Sequence, residues 1–292
     1  MSTTYCRKAI RAGWYSFLML AGTITACSAP AASPERAVEE QDLVQAHAVL
    51  TVAEGKRLIA KGIARMPAVE RAMQDGIVVV CKGTTNTYVA EELLGKKIEP
   101  GSMVLGHVLP QKGDKRLPAV DPIKEVVFIK GHYHPELALD DVLPRIKPDD
   151  VVMKGGNALD YEHQVVGLWT GSKTGGTVGK IEPFMERGTA RVIIPIGLEK
   201  QIAGRVKEVA ERVNSPVESL TSQPRMRILP GQIFTELEAL RVLANVEAWQ
   251  ASAGGIGGAE GAVWLIWRGP KANVEKALEI VRDIQGESPF IE

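Results

Sequence analysis

The sequence has no excess of either charge: 35 Lys and Arg balance 35 Asp and Glu over 292 residues. A neutral chain offers no basic stripe for a phosphate backbone. With aromatics at 5%, there is also little to stack bases on. Nucleic acid is therefore excluded as a partner. Of the three cysteines, Cys6 and Cys27 fall in the first 27 residues. Cys81, alone in the apolar run IVVVC, has no disulfide partner and reads as a buried thiol. Also missing are a CxxC pair, an HExxH helix, a Gly-x4-Gly-Lys-Ser/Thr phosphate loop and a GxGxxG turn after the first strand. What remains, 45% hydrophobic and 24% charged residues, suffices for a sizeable core and two domains.

The N-terminus carries the most specific local pattern. Arg7, Lys8 and Arg11 precede AGWYSFLMLAGTITA (12–26), which has no charge, is short for a membrane span and suits a secretory segment. Ile24-Thr25-Ala26-Cys27 follows the form of a bacterial lipoprotein signal. The expectation is a signal over 1–27, with Cys27 acylated and the mature chain held in the cell envelope by that lipid. Residues 28–48, rich in Ala, Pro, Ser and Glu, read as a flexible tether.

Folded structure is expected from about residue 49. Thr51 and Glu54 fit a capping box, and Pro67 breaks the following helical pattern into two helices near Met66. Buried strands are read at 77–81, 125–131, 151–156 and 190–196, alternating with helices at 87–94, 178–187 and 203–213. That alternation predicts an α/β domain over 49–222 with a largely parallel sheet and flanking helices. A β-α-β-β-α order over 223–292, with strands at 226–231, 246–252 and 262–269, predicts a small ferredoxin-like α+β domain.

Three glycine-rich connections stand out: Gly83-Thr84-Thr85-Asn86 after Lys82, Lys154-Gly155-Gly156-Asn157, and 171–176 with Gly171, Thr174, Gly175 and Gly176. Free backbone N–H groups, small hydroxyls and a lysine are the set that holds phosphate or carboxylate. All three are expected at carboxyl ends of parallel strands, where the ligand crevice of such sheets lies. The ligand expected there is a small anionic metabolite.

The runs KGTTN and KGGNAL, each after a strand, resemble the superfamily of ribose-5-phosphate isomerases, glucosamine-phosphate isomerases and CoA transferases over about residues 50–200. The resemblance implies that Gly83, Thr84 and Thr85 contact phosphate and that Lys154, Gly155 and Gly156 line the substrate. It also implies that Lys154 and Glu162 do the chemistry, Lys154 as electrophile and Glu162 as base. Where the isomerases carry an acidic motif after a middle strand, this chain has Phe128-Ile129-Lys130-Gly131-His132.

His132 and His134 would share a strand face, as a metal pair does, with Glu136, Asp140 or Asp141 as a third ligand. Pro135 ends that strand, and the reading is a solvated loop with neither metal nor cofactor. The glycine-rich stretch 253–261 reads as a flexible loop, an anion nest or a lid. Trp249, Trp264 and Trp267 read as packing or interface residues. The sequence leaves three function classes open: an isomerase-like or CoA-transferase-like enzyme, a non-catalytic envelope binding protein, and a homo-oligomeric assembly protein.

Overall fold

The computed structural model describes residues 42–110, 112, 117–222 and 224–291. The expected signal segment, Cys27 and residues 28–41 of the expected tether lie outside them. In chain order the elements are β1 (Leu43–Leu50), α1 (Val52–Ala64), α2 (Pro67–Asp75), β2 (Ile77–Val80), α3 (Thr84–Leu94), β3 (Val126–Ile129), β4 (His132–Tyr133) and α4 (Leu139–Val142). There follow β5 (Val151–Met153), β6 (Ala158–Asp160), β7 (Val165–Thr170), α5 (Thr177–Glu186), β8 (Arg191–Pro195), α6 (Val206–Val213), β9 (Arg225–Leu229) and β10 (Gln232–Phe234). The chain closes with α7 (Glu236–Ala244), β11 (Glu247–Ala253), β12 (Val263–Pro270) and α8 (Lys271–Ile284).

The architecture is mixed α/β. Its main sheet has the order β10-β8-β5-β2-β3-β4. The first four strands are mutually parallel, β3 runs antiparallel to them, and β4, antiparallel to β3, returns to their direction. IVVV and VVM are buried at every position because both faces of this sheet are covered, which is why they read as continuous apolar runs. The Thr51–Glu54 capping box forms, and α2 starts with Pro67 at its first position after Met66. Two glycines one face apart, Gly55 and Gly62, let α1 lie close against α7. A Cβ on Gly62 would stand 2.7 Å from the Cα of Ala239.

Two smaller sheets differ from expectation. Residues 43–48, assigned to the tether, belong to β1, which pairs antiparallel with β12 over its full length. The C-terminal stretch does not close on itself as the β-α-β-β-α unit expected. Its first strand, β9, pairs with β7, and β10 joins the edge of the main sheet beside β8. The third strand of the β11/β12 sheet is β1 instead. The physical reason is burial: β12 alternates a buried face, including the fully enclosed Trp267, with an open one, and α8 covers the buried side. Trp249 and Trp264 remain on the surface, 40% and 43% exposed. Among the described residues no helix is long and apolar enough to cross a membrane.

Candidate functional site

The opening motif sits where β2 hands over to α3. The helix starts at Thr84, three residues earlier than expected, with Gly83 as its cap and no capping side chain. A first helical turn has no internal acceptor for its leading N–H groups. Those of Thr84, Thr85 and Asn86 find none elsewhere among the described residues. The Gly83 N–H is used, donating to the Met103 carbonyl at 3.0 Å. Asn86 ties the strand ends together: its Nδ2 donates to Cys81 O at 2.7 Å and to Met153 O at 3.1 Å. Two carbonyl partners fix that amide, so Oδ1 is the free end. Asn86 Oδ1 and Thr85 Oγ1 are buried without any hydrogen-bond partner.

The second motif meets the first. Asn86 Oδ1 lies 3.8 Å from where a Cβ on Gly155 would stand, and the Pro195 carbonyl lies 3.2 Å from the same point. The ends of β2, β5 and β8 therefore converge on Gly155, as the crevice rule requires. Lys154 is anchored by its N–H to Ile193 O, and its Nζ donates to Gly155 O at 3.0 Å. Burial pulls its ammonium below the ordinary lysine value; Cys81 opposes that shift and Lys200 adds to it. Cys81 itself is a free, buried thiol, pushed up by burial to about 12. It is no nucleophile at neutral pH.

Four further residues complete a polar cluster that sequence reasoning missed. Lys56 comes from α1, Glu199 and Lys200 from a 3-10 turn at Leu198–Lys200 after β8, and Glu236 from the first position of α7 after β10. Glu236 is 1% exposed; its Oε2 accepts the Leu198 N–H at 3.0 Å, and its Oε1 lies 2.6 Å from the Cβ position of Gly55. Burial first, then Glu199, pushes Glu236 up to about 8. Lys56, 8% exposed, is pulled down to about 8 by burial and by Lys200, against the attraction of Glu199 and Glu236. Glu199 Oε1 is buried with no hydrogen bond, 3.9 Å from Lys200 Nζ. Only the rule that ligands gather beyond parallel strand ends, applied to β8 and β10 as well, points to these positions in the sequence.

The remaining expected residues fall elsewhere. Gly156 packs: a Cβ there would stand 2.2 Å from Val166 Cγ1, so it serves the β6–β7 approach and lines no crevice. Asn157 pins β7 through paired bonds with the Trp169 backbone, 2.9 and 2.8 Å. Glu162 is exposed at the tight β6–β7 turn and makes no bond to Lys154. The 171–176 loop follows β7, which is antiparallel to its neighbours, so it does not end a parallel strand. Gly175 lies against Arg227, which pairs with Glu182, and Thr174 bonds only within the loop, to Ser172. His134 Nδ1 pairs with Glu136, and among the described residues no group of three metal-ligating side chains forms. Two cavities, of about 410 and 750 Å³, lie around Lys96, Ser102 and Tyr133 and around Lys61, Arg65 and Asp283; no residue of the polar cluster lines either.

No protein-family model, curated protein or solved structure matches the chain. The site has to be read from its own atoms.

Proposed function

We propose that the chain binds a small anionic metabolite, phosphorylated or carboxylated, in the crevice beyond β2, β5, β8 and β10. We further propose that it does so as an envelope protein held by an acylated Cys27. One observation carries the binding reading. Lys200 lowers the proton affinity of two buried lysines, Lys56 and Lys154, and Lys154 adjoins Gly155, which meets a helix N-terminus whose first three N–H groups have no acceptor among the described residues. An anion there relieves the repulsion and fills the N–H groups at once.

The isomerase and CoA-transferase resemblance supplies the fold-level analogy for this site, and the chemistry of the site differs from it. Glu162 is apart from Lys154, and Lys130-Gly131, both at positive φ, form the tight β3–β4 turn where an acidic motif would stand. Those two departures count against isomerase-type chemistry unless another carboxyl replaces Glu162, and they favour a binding protein without that reaction. A homo-oligomer is a further proposal, favoured by Trp249 and Trp264 on an open sheet face.

The test is thermal unfolding of the full chain against inorganic phosphate, acetate and chloride. A ligand at a hundredfold excess over Kd raises stability by about 2.7 kcal/mol. No difference between phosphate or acetate and chloride at matched ionic strength refutes the reading. The anchor is tested apart: Cys27→Ala is expected to leave an unprocessed precursor that leaves the membrane fraction, as fractionation and mass spectrometry would show.

A further inference from the structure

Lys56 is the odd member of the cluster. A buried lysine is normally paired, because desolvating an ammonium is costly. Here the side chain is enclosed on α1, a helix buried on nearly every side. Yet its Nζ makes no hydrogen bond with any described residue, and it is not among the wholly enclosed unpartnered atoms. Its neighbours are a second lysine, Lys200, and two carboxyls, Glu199 and Glu236. Burial together with a second cation is the arrangement that keeps a lysine uncharged and nucleophilic. Glu236 adds the other half of an acid–base pair. It is the carboxyl that burial keeps protonated, and its Oε1 touches Gly55, the residue before Lys56.

We infer that Lys56 is a nucleophilic amine that captures the carbonyl carbon of the anionic ligand as an imine, with Glu236 as the adjacent proton donor. This rests on the anion-binding reading above and narrows the ligand to an anionic aldehyde or ketone, carboxylated or phosphorylated. The Nζ lone pair forms the C–N bond while the carbonyl π pair moves to oxygen. A proton passes from nitrogen to that oxygen, giving a neutral carbinolamine. The hydroxyl then leaves as water with the proton of Glu236. The products are a protonated imine and the Glu236 carboxylate, so charge and atoms balance and no oxidant or reductant is needed. The carboxylate then faces the new cation in place of the neutral pair.

The test traps the imine in the full chain at pH 7 with sodium cyanoborohydride. Glyoxylate serves as the carboxylated probe and glycolaldehyde phosphate as the phosphorylated one. Labelled lysines are mapped by peptide mass spectrometry. Lys56 is expected to label at least about tenfold faster than the exposed Lys271, since burial and Lys200 lower the proton affinity of its amine. Its rate should rise as pH approaches about 8, where Lys56 loses its proton, and fall above it, where Glu236 loses its own; it should drop about tenfold in Glu236→Gln and slow with inorganic phosphate. The faster probe identifies the anion. Lys56 unlabelled while Lys271 is modified overturns the imine. If phosphate still stabilises the chain in that case, the anion site survives without it. Reactive Lys56 with no effect of phosphate on stability or labelling keeps the nucleophile and overturns the anion site.

Discussion

Lys56 and Arg57 are consecutive residues of α1, both buried, and they face opposite kinds of surroundings. Arg57 is saturated. Its guanidinium meets Glu91 at 2.5 Å, Glu92 at 3.1 Å and Glu287 at 2.9 Å, and it lies 4.6 Å from the Tyr88 ring centre. Burial would lower its proton affinity, but the bonds to Glu287 and Glu91 hold it above the ordinary arginine value. Lys56, on the crevice side, has no hydrogen bond among the described residues; one cation, Lys200, and two carboxyls, Glu199 and Glu236, act on it. One side of the helix is a finished ion cluster that fastens the C-terminal segment to α1 and α3. The other is polar, buried and incomplete. A completed cluster is structure; an incomplete one is held against its own cost, which is what the proposed anion would offset.

Breaking the finished side has the largest expected effect. Arg57→Met strands the buried Glu91 and the Glu287 carboxylate, and loses about 3–5 kcal/mol in urea unfolding. Lys56→Met, one residue away, strands no hydrogen-bond partner and removes a buried ammonium, so stability is expected to hold or rise. Equal losses would erase the distinction. Next come the two glycines of the second motif. Gly156→Ala must push the chain before β6 away from Val166 and Gly167 of β7 and costs about 1–3 kcal/mol, while Gly155→Ala, with 3.2 Å to its nearest atom, costs less. The same pair of denaturation curves checks both.

A smaller effect follows pH. Glu236 binds its proton more tightly folded than unfolded, so its contribution is present below about 4.5 and is lost as pH rises to about 8. Lys56 binds its proton less tightly folded than unfolded, so its penalty is full below about 8 and fades as pH rises to about 10.5. Together they place a dip in stability near pH 8. Glu236→Gln should remove the falling limb and Lys56→Met the rising one, as unfolding measured from pH 5 to 10 would show. The smallest stability effect belongs to Thr84→Glu. The new carboxylate sits at a helix start, where it is tolerated, so unfolding is unchanged, but phosphate binding is abolished in calorimetry.

The main sheet was legible because its strand interiors carry no polar face: 77–80, 151–153 and 192–194 announce themselves as uninterrupted Val, Ile and Met. So were the capped helices, and so was the meeting of Gly83–Asn86 with Lys154 and Gly155, which follows from parallel strands alone. β1 was not. LVQAHAVL places Ala46 and Ala48 where Val or Ile would signal a strand, and only pairing with β12 makes it one. β7 was hidden by Gly167 and Gly171 at either end of Leu168-Trp169-Thr170. Lys56 and Glu236 were invisible for a different reason. Both sit in helices whose polar residues look solvated in sequence, and burial of α1 on all sides is a tertiary fact.

The pairing of β1 with β12 also sets when the protein can fold. The first strand finds its hydrogen-bond partner more than two hundred residues downstream, and Glu54 and Arg57 find theirs at Gly286 and Glu287. Contacts so distant in sequence are slow to form. Until synthesis has almost finished, β1 has no strand to pair with and Arg57 lacks Glu287, although α3 is already made. The last turn of α8 and the residues after it therefore act as the latch of the fold.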